Sequence, residues 1–135
     1  MKVSQRTEYG IRAMISLARH YDNGPASIKE IATGEGIPGA FLEQIMAELR
    51  RGGIVESQRG VNGGYMLSNS PSETSVGTVV EILEGSLSPA RCESDCSKMP
   101  DCSTRTVLKR IEESITETLD NIYLDELLKV GVHEQ

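Results

Sequence analysis

Three cysteines have the residue type and the spacing best suited to chemistry in this sequence. Cys92, Cys96 and Cys102 are the only cysteines of the 135-residue chain and follow a C-x3-C-x5-C spacing. An odd number fits poorly with a disulfide framework, and thiols clustered in a reducing compartment indicate metal binding. Zinc usually has a fourth Cys or His at short spacing, and residues 86–103 contain none. Three interpretations therefore stay open: an iron–sulfur cluster, a zinc site and redox-active free thiols.

The stretch from Pro38 to Leu67 has a second pattern with a chemical meaning. Its apolar residues recur at i, i+3, i+4 and i+7, which predicts a helix with a buried stripe at Leu42, Ile45, Met46 and Leu49. Gly52-Gly53 ends this helix, and a two-stranded hairpin follows, because Asn62-Gly63 is a strong signal for a two-residue turn. Arg59 lies beside that turn. A helix with a polar outer face followed by an Arg-tipped hairpin is typical of a winged helix-turn-helix. In such a domain the helix enters the major groove of DNA, and the hairpin reaches the backbone or the minor groove.

Two predicted helices precede this stretch. The first spans residues 7–21 and ends at Asn23-Gly24-Pro25. Ser27 and Glu30 form a capping box for a short second helix, and a glycine-containing turn leads from it to Pro38. Helices joined in this way fit helix-turn-helix geometry, although an αα-hairpin in any helical domain has the same pattern. The hairpin directly afterwards favours the DNA-binding interpretation.

The second half of the chain predicts a fourth helix over residues 75–84, a loop with the cysteines, and a long amphipathic helix from Thr104 to about Asp120. The apolar stripe of the long helix comprises Leu108, Ile111, Ile115, Leu119 and Ile122. Because the small domain is complete without it, we expect this helix to pair with its copy across a two-fold axis. The alternative is packing on its own domain. A break near Asn121 and a short final segment over residues 123–128 are also expected.

These elements predict a mainly α fold with a small β-hairpin wing, in which a winged helix-turn-helix domain is followed by a long dimerisation helix. The DNA-binding domain spans residues 1–85 with its wing at 54–67. The cysteine loop spans residues 86–103, and the dimerisation helix and C-terminal tail span residues 104–135.

Charge and composition limit the function classes. The net charge of −6 argues against nucleic acid by itself, but it is unevenly distributed. Residues 1–69 carry 8 Lys/Arg against 7 Asp/Glu, whereas residues 70–135 carry 6 against 13. The absence of a membrane-spanning apolar run and of a signal-peptide pattern predicts a cytoplasmic protein without membrane association. An enzyme is not expected, because there is no phosphate loop, no Ser-His-Asp arrangement and only two distant His.

Nearly the whole chain resembles the IscR-like family of winged-helix regulators. The resemblance depends on VSQRTEYGIRAMISLA at the start, FLEQIMAELRRGGIVESQRGVNGGYML in the middle and VVEILEG before the cysteines. It implies a homodimeric transcription factor that is dimerised through the long helix and binds palindromic double-stranded DNA. Members with three cysteines in this loop hold an iron–sulfur cluster, commonly [2Fe-2S] and in NsrR [4Fe-4S], while CymR-like members lack the cysteines. The resemblance is therefore to the cluster-bearing branch, with [2Fe-2S] expected and [4Fe-4S] as the alternative.

The same resemblance implies roles for single residues. The metal ligands it implies are Cys92, Cys96 and Cys102. The DNA-binding residues it implies are Ala40, Phe41, Glu43 and Gln44 at the front of the recognition helix, and Arg59, Gly60 and Gly63 in the wing. Gln44 suits a bidentate contact to adenine, and Arg59 suits a narrow minor groove. Glu43 can only accept, for instance from cytosine N4, and the matching acid of IscR takes part in discriminating between site types. Alternatively, Glu43 is simply a solvent-exposed residue of the helix.

Two departures from the family pattern leave the fourth ligand open. The position three residues after the last cysteine is His in IscR and is Arg105 here, which cannot ligate. The first two cysteines are separated by three residues instead of five. NsrR-like members use an acid near the start of the first helix, and the matching Glu8 is the candidate, reaching the partner subunit's loop. The alternatives are His20, His133, a small thiol or water, and Glu8 could also simply stabilise a helix N-terminus.

The function that the resemblance implies is that of a repressor which senses through its cluster and controls iron–sulfur cluster biogenesis genes. Three alternatives remain. They are a nitric-oxide or redox-responsive repressor of the same family, a metal-free thiol redox switch, and a winged helix that serves only as a protein-interaction module.

Overall fold

The computed structural model describes residues 3–85 and 103–132. Within these ranges the chain forms six α-helices and one two-stranded antiparallel sheet. In chain order the elements are α1 (Gln5–Arg19), α2 (Ile28–Glu35), α3 (Gly39–Arg51), β1 (Val55–Gln58), β2 (Gly64–Leu67), α4 (Val76–Glu84), α5 (Ser103–Asp120) and α6 (Leu124–Val132). The mainly helical fold with a small hairpin is the one that the sequence predicts.

Side-chain caps fix the beginnings of the helices. The hydroxyl of Ser4 accepts a hydrogen bond from the Thr7 amide, so α1 begins two residues before its predicted start. The predicted capping box of Ser27 and Glu30 is present at the start of α2. Ser75 caps α4 as Ser4 caps α1, because its hydroxyl accepts a hydrogen bond from the amide of Thr78. Each cap supplies an acceptor to an amide that the helix itself leaves without a partner.

One aliphatic core joins α1, α3, α4 and the hairpin. The stripe predicted for α3 is confirmed, because Leu42, Ile45, Met46 and Leu49 all have a relative exposure of 0%. From α1 the core receives Ala13, Met14, Leu17 and Ala18, and from α4 it receives Val76, Val79, Val80 and Leu83. Gly10 lies where a β-carbon would overlap Leu83, so its missing side chain lets α1 and α4 approach closely.

The hairpin is confirmed, but its predicted two-residue turn is wrong. Val55 pairs with Leu67 and Gln58 pairs with Gly64, so five residues (59–63) connect the strands. Within them, the Gly63 amide donates to the Gly60 carbonyl at 3.0 Å. A two-residue type I′ turn requires positive φ at both central residues. No residue other than glycine has positive φ in the described part of the chain, so Asn62 does not adopt that conformation.

The chain returns to its own domain after the long helix. α5 ends at Asp120, which confirms the predicted break near Asn121. The Val76 amide then donates to the Ile122 carbonyl at 2.7 Å, and the Leu124 amide donates to the Thr74 carbonyl at 3.0 Å. Leu124 has 0% exposure and lies in the same core as α1. The final segment is therefore a packed helix, which begins at Leu124 within the short segment predicted over residues 123–128 and extends to Val132.

Within the ranges 3–85 and 103–132, no helix is long and apolar enough to cross a membrane.

Candidate nucleic-acid interface and cysteine loop

The outer face of α3 is polar and open to solvent. Burial of its apolar stripe turns the opposite side outward, where Ala40, Glu43 and Gln44 are exposed. Arg50 and Arg51 are exposed at the end of the same helix. This face has the mixed donors and acceptors that reading of base edges requires. The predicted contacts of these side chains with bases stay predictions.

Phe41 differs from the other three predicted residues of α3, because it packs against α1. Its ring meets the ring of Tyr9 edge-on, with centroids 5.4 Å apart and planes at 78°. The guanidinium of Arg12 lies over the ring of Tyr9, 5.5 Å from its centroid. It also donates a hydrogen bond to the carbonyl of Glu35 at the end of α2. Phe41 is therefore half-buried and packs the start of α3 against α1.

The base of the wing is anchored to the body of the protein. Ala26, just before α2, exchanges two backbone hydrogen bonds with Tyr65 of β2, at 2.9 and 2.7 Å. Gly64 makes this pairing possible, because its φ is +152° and a β-carbon there would overlap the backbone of Ala26. Beyond this base, Arg59 and Gly60 are exposed and Gly63 is half-buried. The predicted wing residues thus lie together around one turn.

A polar cluster joins the start of α1 to the end of α4. Glu84 accepts hydrogen bonds at one carboxylate oxygen from the Ser4 hydroxyl at 2.8 Å, the Ser4 amide at 3.3 Å and the Thr7 hydroxyl. The bond from Thr7, followed by that from Ser4, holds the pKa of Glu84 below its ordinary value of 4.5. Thr7 has 0% exposure. The sequence analysis missed this cluster, and the cap position of Ser4 was the only local signal for it.

The first turn of α1 also contacts α3. Arg6, between Ser4 and Thr7, forms an ion pair with Glu48 on α3, and Arg51 lies 3.8 Å from the same carboxylate. The start of α1 thus contacts two helices: Arg6 pairs with α3, which presents the polar face, and Ser4 and Thr7 are hydrogen-bonded to the end of α4.

The predicted ligands are only partly described. Cys92, Cys96, Cys102 and His133 lie outside the described residues. Glu8 is exposed in the first turn of α1. His20 lies 3.8 Å from Glu30, with 40% of its side chain exposed. Among residues 3–85 and 103–132, no three His, Cys, Asp or Glu side chains come together in a group that could hold a metal ion.

The long helix α5 has no buried residue in the isolated chain. Val107 and Ile111 are 56% and 42% exposed, and they line an open groove with Ile115. A second groove, of about 560 Å³, separates α4 from α5 and is lined by Val80, Leu119 and several carboxylates. Neighbouring exposed apolar side chains such as Val107 and Ile111 are typical of a surface that is covered in an assembly.

Comparison with known proteins identifies relatives over nearly the whole chain. Residues 3–130 match the Rrf2 family, described as "Iron-dependent Transcriptional regulator". The HTH-type transcriptional regulator IscR of Pectobacterium carotovorum is 35% identical over 130 residues, which cover 95% of this chain and 79% of that protein. The HTH-type transcriptional regulator CymR of Bacillus subtilis is 35% identical over 135 residues, covering 100% of this chain and 95% of the relative.

Solved structures have the same fold. IscR of T. potens is 39% identical and superposes with a TM-score of 0.84, over 100% of this chain and 91% of the other. CymR, the global cysteine regulator of B. subtilis, is 35% identical and superposes with a TM-score of 0.83, over 96% of this chain and 98% of the other.

Proposed function

The chain belongs to the Rrf2 family of transcriptional regulators, and on that premise we propose that it is a homodimeric repressor that senses through an iron–sulfur cluster. The observation that carries this proposal is the position of the three thiols. The segment that contains them begins beside Glu84, whose carboxylate is bonded to the first turn of α1, and it ends at α5. The proposed operator is a palindromic duplex, and the proposed targets are genes of iron–sulfur cluster biogenesis.

The donor set fits such a cluster. Thiolates are its usual ligands, and Cys92, Cys96 and Cys102 provide three. Glu8 is the fourth ligand in this proposal, because its exposed carboxylate has no hydrogen-bond or ion-pair partner in the described ranges and follows Thr7 directly. It reaches the loop of the partner subunit. When bound, a cluster of this kind, [2Fe-2S] in preference to [4Fe-4S], supplies a redox-sensitive centre at the loop.

The proposed contacts to DNA divide between α3 and the wing. Gln44 makes a bidentate contact to adenine, and Glu43 accepts from cytosine N4, both in the major groove. Arg59 enters the minor groove, where a narrow A·T-rich segment has the strongest negative potential. Because residues 1–69 have a net charge near zero, the binding free energy depends on these few side chains more than on a broad basic surface.

The route from the loop to the DNA-binding face runs through the first turn of α1. Ser4 and Thr7 hold Glu84, and Arg6 holds Glu48 on α3. A loop state that favours a different position of Glu84 also favours a different position of this turn, and hence of α3. A change in the cluster can shift this equilibrium only if the cluster favours one of the two positions over the other. In this proposal, the hydrogen bonds of Glu84 and the ion pair of Arg6 transmit that preference.

The dimer forms along α5 in this proposal. Its exposed stripe at Val107, Ile111 and Ile115 matches the same stripe of a second copy across a two-fold axis. The two copies of α3 then meet half-sites about 34 Å apart, one turn of the duplex. Small changes in the spacing of the two helices therefore alter operator affinity.

The test begins with iron and acid-labile sulfide, measured per chain on protein purified without oxygen. We expect near-equal, substantial amounts of both in the wild type and none in a variant with Ala at Cys92, Cys96 and Cys102. The affinity for a palindromic duplex, selected in vitro with the wild type, should change in the triple variant. Gln44→Ala is the matched control, because it should keep iron and sulfide while losing operator affinity.

The outcomes separate the parts of the proposal. A triple variant that binds the duplex like the wild type would contradict sensing through these cysteines. Zinc or bare thiols in the wild type would replace the cluster by a metal site or a thiol redox switch. If Gln44→Ala and Arg59→Ala left duplex binding unchanged, the winged helix would be acting as a protein-interaction module.

A further inference from the structure

The apex of the wing carries an apolar side chain that the proposed function does not use. Val61 has a relative exposure of 103%, whereas the next most exposed of the large hydrophobic residues described, Val107, has 56%. Single exposed apolar residues are common on protein surfaces, so exposure alone has little weight. The position of Val61 gives it meaning, because it lies two residues after Arg59 at the most distant point of the hairpin.

The hairpin holds Val61 in this position. The Gly63 amide donates to the Gly60 carbonyl at 3.0 Å and closes a turn whose two central residues are Val61 and Asn62. Gly60 has a φ of +115°, a conformation that favours glycine, and a β-carbon on Gly63 would overlap the carbonyl of Gln58. The turn is therefore tightly packed on its inner side.

The base of the hairpin adds to this rigidity. Tyr65 is joined to Ala26 by two backbone hydrogen bonds, so β2 is paired on both edges at that point. A side chain at the apex of such a hairpin is presented outward, and its contact with a ligand requires little ordering of the backbone. Ordering cost is one of the main terms that weaken binding by flexible loops.

The chemistry of valine then selects the kind of surface it can meet. Proteins that enter the minor groove insert or lay apolar side chains against sugars and base edges there. The floor of the groove differs between pairs chiefly in the 2-amino group of guanine, a donor that needs an acceptor. Valine has no acceptor and has two methyl groups that would meet this protruding group. Arg59 beside it favours the same A·T-rich, narrow groove.

We propose that Val61 is a specificity-determining residue that contacts the minor groove and discriminates against guanine at the base pair under the wing. This inference rests on the proposed DNA-binding function. It adds recognition of a base pair by Val61 that depends on the shape of the minor-groove floor and involves no hydrogen bond. It predicts that the operator has a preferred A·T pair under the wing, beside the segment read by α3, and that this preference depends on Val61 as well as on Arg59.

The experiment uses the full chain and a pool of random duplexes. In vitro selection with the wild type and with Arg59→Ala locates the wing position as the pair whose preference changes between the two selected pools. Three duplexes are then made that differ only at this pair, which is A·T, G·C or inosine·C. Inosine lacks the 2-amino group of guanine but keeps its major-groove edge. Dissociation constants are measured by fluorescence anisotropy at one fixed salt concentration.

We expect the wild type to bind the A·T and inosine·C duplexes about equally and the G·C duplex about tenfold more weakly, the usual scale for one unfavourable base pair. Val61→Ser should bind all three within about twofold of one another, since the hydroxyl can accept from the amino group. Val3→Ser, at another exposed valine outside the wing, is the control and should discriminate like the wild type. Thermal melting should show that Val61→Ser is as stable as the wild type, because the Val61 side chain is fully exposed.

Two results would overturn the inference. One is a Val61→Ser variant that discriminates as strongly as the wild type. The other is a wild type that binds G·C and inosine·C equally, because the preference would then not depend on the 2-amino group. A wild type that enriches no sequence from the pool would be a different failure, since it would contradict the DNA-reading function itself.

Discussion

The carboxylate of Glu84 gathers hydrogen bonds from residues that lie about 80 positions away in the sequence. These bonds lower its pKa below 4.5, so the folded state holds the ionised form more firmly than the unfolded chain does. A lowered pKa contributes stability that is fully present above the unfolded value and is lost as pH falls through the folded value. The contact between α1 and α4 should therefore weaken in acid.

Glu84→Gln tests this at the level of one residue. At neutral pH the variant should lose about 1 kcal/mol of the free energy of unfolding, because the neutral amide accepts more weakly than the carboxylate. At an acidic pH below the lowered pKa of Glu84, the difference from the wild type should be smaller. Urea denaturation at both pH values measures it.

A second variant and a control define the cause. Thr7→Val keeps the carboxylate and removes its strongest donor, so it should lower stability over the same pH range. Thr33→Val, at an exposed threonine of α2, should change stability by less than about 0.5 kcal/mol. A loss for Glu84→Gln that is equal at both pH values would exclude the ionised form as its source.

At the scale of elements, prediction succeeded where a cap and a periodic stripe agree. The capping box at Ser27, the stripe of α3 and the end of α5 all depend on residues close together in sequence, and all are confirmed. The turn of the wing was predicted wrongly, because Asn62-Gly63 is a local signal whereas the register is set by Tyr65 pairing with the distant Ala26. Tertiary pairing outweighed the local preference.

Gly64→Ala tests the anchoring of the wing. Alanine at a φ of +152° is strained, and its β-carbon overlaps the backbone of Ala26 and Ser27. We expect a loss of about 1–3 kcal/mol in the free energy of unfolding, the scale of one strained backbone position. Affinity for the selected duplex should fall as well. Gly34→Ala, in α2 with open space around it, should instead stabilise the protein by about 0.5–1 kcal/mol. Equal stability of Gly64→Ala and wild type would show that the pairing with Ala26 can relax.

At the scale of the whole molecule, the sequence predicted the long helix but not the return of the chain. Nine residues of α6 have a periodicity that many surfaces could satisfy, and nothing local identifies α1 as the partner. The site was predictable to the extent that its residues are local, as for α3 and the wing. The cluster of Ser4, Thr7 and Glu84 was not, because it forms only when the two halves of the domain meet.

Ile111→Glu tests assembly through α5. A charge on the exposed stripe should convert a dimer to a monomer in sedimentation equilibrium, since burial of an unpaired carboxylate in an interface is strongly unfavourable. The melting of the domain itself should be retained, because Ile111 is 42% exposed in the single chain. Lys109→Glu, which lines a different groove of α5, should remain dimeric. A dimeric Ile111→Glu variant would show that the subunits associate elsewhere.

The attachment of α5 also has a mechanical consequence. Two backbone hydrogen bonds tie the chain at Ile122 and Leu124 to the start of α4, and Gly77 lies directly against Asp120 with no room for a side chain. The helix is thus attached to the start of α4 at its C-terminal end, and its N-terminal end adjoins the cysteine segment in the sequence. The 18 residues of α5 span about 27 Å, so a rotation of the helix by about 5° about its C-terminal end would move its first residue by about 2 Å. A displacement too small to disturb the core would be magnified along the length of the helix.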